Sequence, residues 1–125
     1  MKLRVQSYRD LDVYQAAFQA QQNVFAASKS WPSEERYALT DQVRRSARSI
    51  GGNIAEAWAK RCYPAHFRSK CTDADGELQE TMHWLATAKA CEYLTEGQYA
   101  VLVEIFQSVG RMLGSMIKQH EAFCE

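Results

Sequence analysis

Toward the C-terminus, apolar side chains fall at Tyr99, Leu102, Phe106, Val109, Leu113, Met116 and Phe123, with His120 on the same line. The steps between them alternate three and four. A helix returns to one face at that spacing, whereas a strand returns every second residue. A stripe this narrow is the seam of helices packed antiparallel along their length. Related patterns recur three times upstream, and only two prolines and six glycines interrupt 125 residues. That is too little punctuation for a sandwich of short strands. A chain of this length buries about two thirds of its unfolded surface, enough for one core. The sequence is read as one all-α domain over residues 1–125: an antiparallel, up-down-up-down four-helix bundle. Val101, Ile105, Met112 and Ile117 widen the fourth helix's apolar face beyond one seam. An excess of that kind points to assembly into a homo-oligomer.

The helices are expected near 10–28, 33–62, 65–93 and 95–122. Asp10 is placed as the cap of the first, whose inward residues are Leu11, Tyr14, Phe18 and Val24 or Phe25. Trp31-Pro32 closes it, because the residue before proline avoids the helical region. Glu34-Glu35 suits the positive end of a second helix dipole. Its inward line runs Leu39, Val43, Ala47, Ile50, Ile54, Ala57 and Trp58, with Thr40-Asp41 marking a break or second cap. Gly51-Gly52 near its middle suggests a kink or a close approach by another backbone. Tyr63-Pro64 ends it. The third helix carries Phe67, Cys71, Ala74, Leu78, Met82 or Thr81, Leu85 and Ala88, with Leu94 near its end. Thr95 and Gln98 have the spacing of a capping box for the fourth.

Formal net charge is zero, with hydrophobic residues at 46% and charged residues at 24%, which is ordinary globular composition. The charges are segregated. From residue 36 to 70, eight bases (Arg36, Arg44, Arg45, Arg48, Lys60, Arg61, Arg68, Lys70) face Asp41 and Glu56, a balance of +6. From 71 to 104, seven acids (Asp73, Asp75, Glu77, Glu80, Glu92, Glu96, Glu104) face Lys89, a balance of −6. The two halves can satisfy each other within one chain or between copies, or the basic half can face nucleic acid. Cys62, Cys71, Cys91 and Cys124 form no C-x-x-C pair and read as reduced thiols. The N-terminus lacks the apolar run of a signal peptide, and no stretch approaches about 18 apolar residues in a row. A cytoplasmic protein without membrane contact is expected.

Catalytic constellations are not apparent. His66, His83 and His120 sit on different expected elements, and Pro64 separates Cys62 from His66. Glu80 and His83, with Glu77 nearby, make one Glu-x-x-His unit, whereas a di-iron bundle needs two plus further glutamates. There is no G-x-S-x-G elbow and no phosphate loop. The chain is read as a non-enzyme with no cofactor and no metal. The densest polar group lies on the second helix. Arg44 and Arg48 share a face while Arg45 points elsewhere. Arg44, Arg45 and Arg48, with Lys60, Arg61 and Arg68, are the candidate nucleic-acid-binding residues. Asn53 and Glu56, with Glu77 and Glu80, are candidates for a structural polar network, the first two partly buried beside Ile50 and Ile54 and paired with the arginines.

The run Glu35-Arg36-Tyr37-Ala38-Leu39-Thr40-Asp41-Gln42-Val43-Arg44-Arg45-Ser46, followed by Asn53-Ile54-Ala55-Glu56-Ala57, resembles the signature of a bacterial four-helix-bundle family. That family is named for proteins encoded in intervening sequences of 23S ribosomal RNA genes. The similarity extends to Leu11-Asp12-Val13-Tyr14, to Glu77-Leu78-Gln79-Glu80-Thr81 and to Gly110-Arg111-Met112-Leu113. The resemblance implies a homopentamer and no catalysis. A related group, the accessory variability proteins of diversity-generating retroelements, engages polymerase and RNA through a basic pentamer. The chain departs from the family pattern at Gly51-Gly52, where a proline-alanine type pair is usual, and at Ala57, where glycine is common. Its neutral balance also differs from the basic retroelement group. The leading expectation is a nucleic-acid-associated accessory or scaffold protein whose partners are itself and RNA or a nucleic-acid-processing protein. A protein–protein adaptor that binds no nucleic acid is the alternative, and a metal-dependent bundle enzyme the third reading.

Overall fold

A computed structural model describes residues 5–124, and among them every regular element is helical. Four long helices dominate: α1 (Asp12–Ser28), α2 (Asp41–Ala59), α3 (Pro64–Ala90) and α4 (Glu96–Lys118). A short α5 (His120–Phe123) follows. Each long helix packs on its neighbours in sequence, and α1 meets α4 to close the ring. Side-chain pairs fix the directions. Arg45 and Ser46 of α2 meet Glu80 and Thr81 of α3, while Glu56 meets Lys70. Rising numbers on one helix therefore meet falling numbers on the other. The same reversal holds for α1 on α2, through Tyr14 on Gly51 and Ser28 on Arg44, and for α3 on α4, through Leu78 on Gly110 and Lys89 on Tyr99. The helices run up, down, up, down, as connections of a few residues require.

The N-terminal cap differs from expectation. The Asp10 carboxylate accepts from the backbone N–H groups of Gln6 at 2.9 Å and Ser7 at 3.2 Å. It thereby completes a capping box with Ser7 on a 3-10 turn, Tyr8–Asp10. With its carboxylate committed upstream, Asp10 cannot cap α1, which starts from Leu11 without a side-chain cap. The inward face of α1 is also displaced from the expected one. Val13, Ala17, Ala20, Val24 and Ser28 are buried, whereas Tyr14 is half-buried and Phe18 is 46% exposed. The alanines let α1 lie close to its neighbours, and the rings are left at the rims.

The second helix does not begin as one regular element at residue 33. A 3-10 turn (Ser33–Glu35) passes into a π turn (Arg36–Thr40), and regular geometry starts at Asp41, at the break that Thr40-Asp41 suggested. The expected line Leu39, Val43, Ala47, Ile50, Ile54 and Ala57 is buried, and only Trp58 stays partly exposed. Gly51 is buried because Tyr14 packs over it, so a side chain rather than a backbone makes the approach. On α3 the alternative resolves to Thr81, which is fully buried, with Met82 at the edge. The Thr81 hydroxyl lies 2.8 Å from both Ser46 Oγ and the Glu77 carbonyl oxygen, and Ser46 Oγ lies 3.2 Å from the Val43 carbonyl. This polar pair inside the α2–α3 seam is thus satisfied, as burial demands. The Thr95–Gln98 capping box forms as expected.

Among the described residues, α4 is the one helix long and apolar enough to cross a bilayer by length and composition, although no unbroken apolar run in the sequence marks it. Glu104 and Arg111 break the run but leave the mean hydropathy high, at 1.3. Only 28% of its most apolar window is buried in the bundle, so much of that apolar surface faces outward. Val101 is 60% exposed and Met112 37%.

Two backbone features give measurable consequences. Helix α3 ends in a Schellman arrangement, with the Tyr93 N–H on the Ala88 carbonyl and the Glu92 N–H on that of Lys89. Glu92 holds the left-handed position at φ 64°, where glycine is favoured. Glu92→Gly should raise stability by about 1 kcal/mol. A Cβ at Gly52 meets nothing within 4 Å, whereas one at Gly51 lies 3.4 Å from Tyr14 Cε1. Gly52→Ala should therefore add about 0.5–1 kcal/mol, and Gly51→Ala distinctly less. Urea denaturation of the three variants checks this; equal gains at both glycines would remove Tyr14 as a constraint on α2.

Candidate functional site

Where the last turns of α1 meet the first turns of α2, three cations converge on one aromatic ring. The Arg44 guanidinium carbon lies 4.7 Å from the centroid of Phe25, the Lys29 ammonium 4.8 Å, and the Arg48 guanidinium carbon 5.7 Å. The geometry follows from helical spacing. Phe25, in the last turn of α1, and Lys29, at its C-cap, are one turn apart, as are Arg44 and Arg48 on α2, and the antiparallel packing faces the two pairs. Arg44 is fixed further, because its Nε donates to Ser28 Oγ at 2.8 Å. Among the described residues, none of these three cations makes an ion pair with a carboxylate. The electron-rich ring face offsets part of their repulsion.

Beside this cluster runs a shallow open groove of about 570 Å³, lined by Asp41, Arg44, Arg45, Arg48, Ser49 and Gly52. Gly52 leaves its far end without a side chain, and Asp41 places one carboxylate at the other. Arg45 touches the groove but turns to α3, where its Nη2 donates to Glu80 Oε2 at 2.8 Å and to Gln42 Oε1 at 3.3 Å. The division of Arg44 and Arg48 from Arg45 is the one helical spacing gives.

The remaining candidate bases lie elsewhere. Lys60 and Arg61 follow the last turn of α2 and Arg68 sits in the second turn of α3, so all three crowd the opposite end of the bundle. Sixteen residues of helix put about 24 Å between Arg44 and Lys60. Arg61 is further engaged, its guanidinium carbon 4.1 Å from the centroid of the Trp58 ring and its Nη1 donating to the Trp58 carbonyl at 2.8 Å. The six candidates thus form two groups, not one stripe. Lys29 and Phe25, which complete the first group, carry no sequence signal of their own. Phe25 reads only as an alternative core position to Val24, and Lys29 only as a fading helix end.

Asn53, Glu56, Glu77 and Glu80 do not meet in one network. Asn53 donates within its own helix to the Ser49 carbonyl at 2.9 Å. Glu56 is exposed rather than partly buried, and pairs at 2.9 Å with Lys70 rather than with an arginine. The hydrogen bond from Lys70, and then its charge, hold the Glu56 carboxyl below its ordinary range and push Lys70 up in return. Both groups are open to water, so the pair adds little stability. Glu80 accepts from Arg45 and, at 3.1 Å, from Trp84 Nε1. One Glu77 oxygen is buried without a hydrogen-bond partner.

Among the described residues, no three histidine, cysteine or acidic side chains converge as a metal site. Glu80 is held by Arg45 and Trp84, and the His83 ring lies on Trp84 with centroids 4.8 Å apart. Cys71 is buried, which pushes its thiol up to about 11, with Cys124 nearby adding to the shift. Burial raises Cys124 as well. Cys62 and Cys91 are exposed. The arrangement at Phe25 offers fixed positive charge, donors and an aromatic face. It can hold an anion.

Residues 9–115 match the model of a family described as 23S rRNA-intervening sequence protein. A solved structure is similar over 86% of this chain and 96% of its own, at 29% identity and a TM-score of 0.78. It is a protein of unknown function from the S23 ribosomal protein family of Bacteroides thetaiotaomicron. No curated protein matches.

The thiols give a direct check on this chemistry. In the native protein near pH 8, Cys62 and Cys91 should react readily with a thiol reagent. Cys71, buried and with its thiolate disfavoured, should react only as the bundle unfolds. Mass spectrometry of labelled peptides with and without urea measures this; rapid native labelling of Cys71 would place it outside the core.

Proposed function

This chain belongs to the 23S rRNA-intervening sequence protein family, and we propose that it is a non-catalytic, self-assembling bundle that associates with nucleic acid. The observation that carries the reading is the group of three cations on Phe25, unpaired with any carboxylate among the described residues. Three like charges gathered without an ion pair, against the single carboxylate of Asp41 in the groove, favour a polyanion, and their guanidinium and ammonium donors suit phosphate oxygens. The Arg44–Ser28 hydrogen bond holds one of these donors in place beforehand, so less side-chain freedom is lost on binding. The partner is RNA, and the protein acts as an accessory or scaffold in the cytoplasm.

Self-assembly uses the outward apolar side of α4, which includes Val101 and Met112. The family resemblance implies five copies. Association of copies, rather than a lipid bilayer, covers this surface. A soluble bundle gains by burying such residues against a second copy.

A protein–protein adaptor is the second reading, favoured by one observation. The basic and acidic parts of the chain already meet across α2 and α3 at Arg45–Glu80, while a second ion pair, Glu56–Lys70, closes within the basic part. Those pairs leave the Phe25 group untouched, and the first reading stands ahead on that ground.

Titration of the full-length protein into labelled RNA, followed by fluorescence anisotropy, separates the two. Phosphate contacts release counterions, so three of them should weaken binding about tenfold or more between about 50 and about 200 mM salt. Lys29→Glu, Arg44→Glu and Arg48→Glu should each lower affinity at the lower salt, with the assembly unchanged by sedimentation. Unaltered affinity in all three variants would move the site elsewhere. No binding by the unaltered protein at low salt would favour the adaptor.

A further inference from the structure

The side chain of Tyr37 is 72% exposed, the most exposed large apolar residue among those described. It stands in the π turn that leads into α2, and the guanidinium carbon of Arg36 lies 5.3 Å from its ring centroid. Packing does not account for a ring left so far out in water. Asp41 follows one turn later, and Arg44 and Arg48 follow in turn. Tyr37 therefore precedes the cationic group in the π turn that runs into α2, about 10 Å away when the helical rise is carried through that turn.

We propose that Tyr37, backed by Arg36, is a stacking platform for an unpaired base, so that the site takes single-stranded rather than duplex nucleic acid. The inference rests on the nucleic-acid reading above and specifies its ligand. Each base has a flat π face that an exposed aromatic ring can cover, whatever the sequence. In a duplex those faces are occupied by neighbouring bases, and only groove edges and backbone remain. The start of α2 is a convex helical surface with no extended strand beside Tyr37 to enter a groove. A ring on such a surface meets a base only where the strand is open. The spacing suits this arrangement, since about 10 Å corresponds to about three nucleotides of a stacked strand at about 3.4 Å each, and to fewer where the strand is extended. A base on Tyr37 thus leaves the following phosphates over Arg44, Arg48 and Lys29. Arg36 contributes a cation on the ring and a further donor toward the backbone.

The test compares an unstructured oligouridine with a blunt RNA hairpin of equal charge, by anisotropy at about 50 mM salt, a condition under which phosphate contacts are strong. The full-length protein, Tyr37→Ala, Tyr37→Phe and Arg44→Glu are each titrated. The unaltered protein should prefer the single strand. Tyr37→Ala should lose about tenfold in single-strand affinity with little change for the hairpin, and Tyr37→Phe, which keeps the ring, should remain within about twofold of the unaltered protein. Arg44→Glu should weaken both ligands. If Tyr37→Ala binds the single strand normally while Arg44→Glu does not, the stacking role is wrong and the phosphate site stands. If the unaltered protein binds neither ligand, both readings fall. Circular dichroism and sedimentation accompany the series. Tyr37→Ala protein that folds but loses its assembly would make Tyr37 a contact between subunits and overturn the proposal.

Discussion

The close packing of α2 between α1 and α3 is the constraint on which the rest of the molecule depends. Val43, Ala47, Ile50, Gly51, Ile54 and Ala57 are buried along α2, and Ser46 joins them at the α3 seam. Small residues make this possible. Gly51 leaves room for Tyr14, Ser46 admits Thr81, and the alanines let the neighbouring helices approach. A helix covered on two flanks keeps only a narrow strip for solvent. Asp41, Arg45, Arg48 and Gly52 fall on that strip, with Arg44 at its α1 edge. The position of the cations therefore follows from the packing. Moving them would require moving α2, and that would open the core on both sides.

Electrostatics then divides the strip unequally. On the α3 side, acids are at hand, and Arg45 and Lys70 are neutralised by Glu80 and Glu56. On the α1 side there are almost none, since Asp12 is the only acid within α1 and it stands at the far end from Phe25. Arg44, Arg48 and Lys29 consequently find an aromatic ring and a serine hydroxyl instead of a carboxylate. The segregation visible in the linear sequence, basic then acidic, is bridged in three dimensions at Arg45–Glu80 on the α2–α3 seam, while the α1–α2 seam keeps its unpaired cations.

Periodicity made the fold legible wherever burial was continuous. On α2, α3 and α4 nearly every inward position could be read from steps of three and four, because one stripe of each faces a single core. Helix α1 was harder. Its inward positions include Ala17, Ala20 and Ser28, which carry little hydrophobic signal, while its conspicuous Tyr14 and Phe18 sit at the rim. Hydrophobicity follows the size of a side chain, but close helix packing selects for its absence. Asp10 misled for a different reason. Its oxygen reaches backward to Gln6 and Ser7, and a competing local turn is invisible to a pattern that only looks forward. The arginine pair on α2 was legible from spacing alone. Phe25, Ser28 and Lys29 were not, since they join the pair only through the register between two helices, and no single-helix pattern encodes that.

The order of the helices around the bundle ties the cationic seam to the apolar one. Since α1 touches α2 and α4, and α3 touches the same two, α2 and α4 stand on opposite corners. Outward apolar residues on α4 and outward cations on α2 therefore point away from each other. In the proposed assembly, α2 stays uncovered where α4 of one copy meets a surface other than α2 on the next, and every added copy then adds another cationic site to one particle. A flexible polyanion reaching several such sites would bind far more tightly than any single site allows, because each contact after the first is made within one complex. On the proposed reading, a weak, shallow groove is then sufficient for nucleic-acid binding. The opposite arrangement, with cations and apolar residues on one face, would set like charges against each other in the assembled interface. The antiparallel ring with α2 and α4 at opposite corners avoids that conflict by geometry alone.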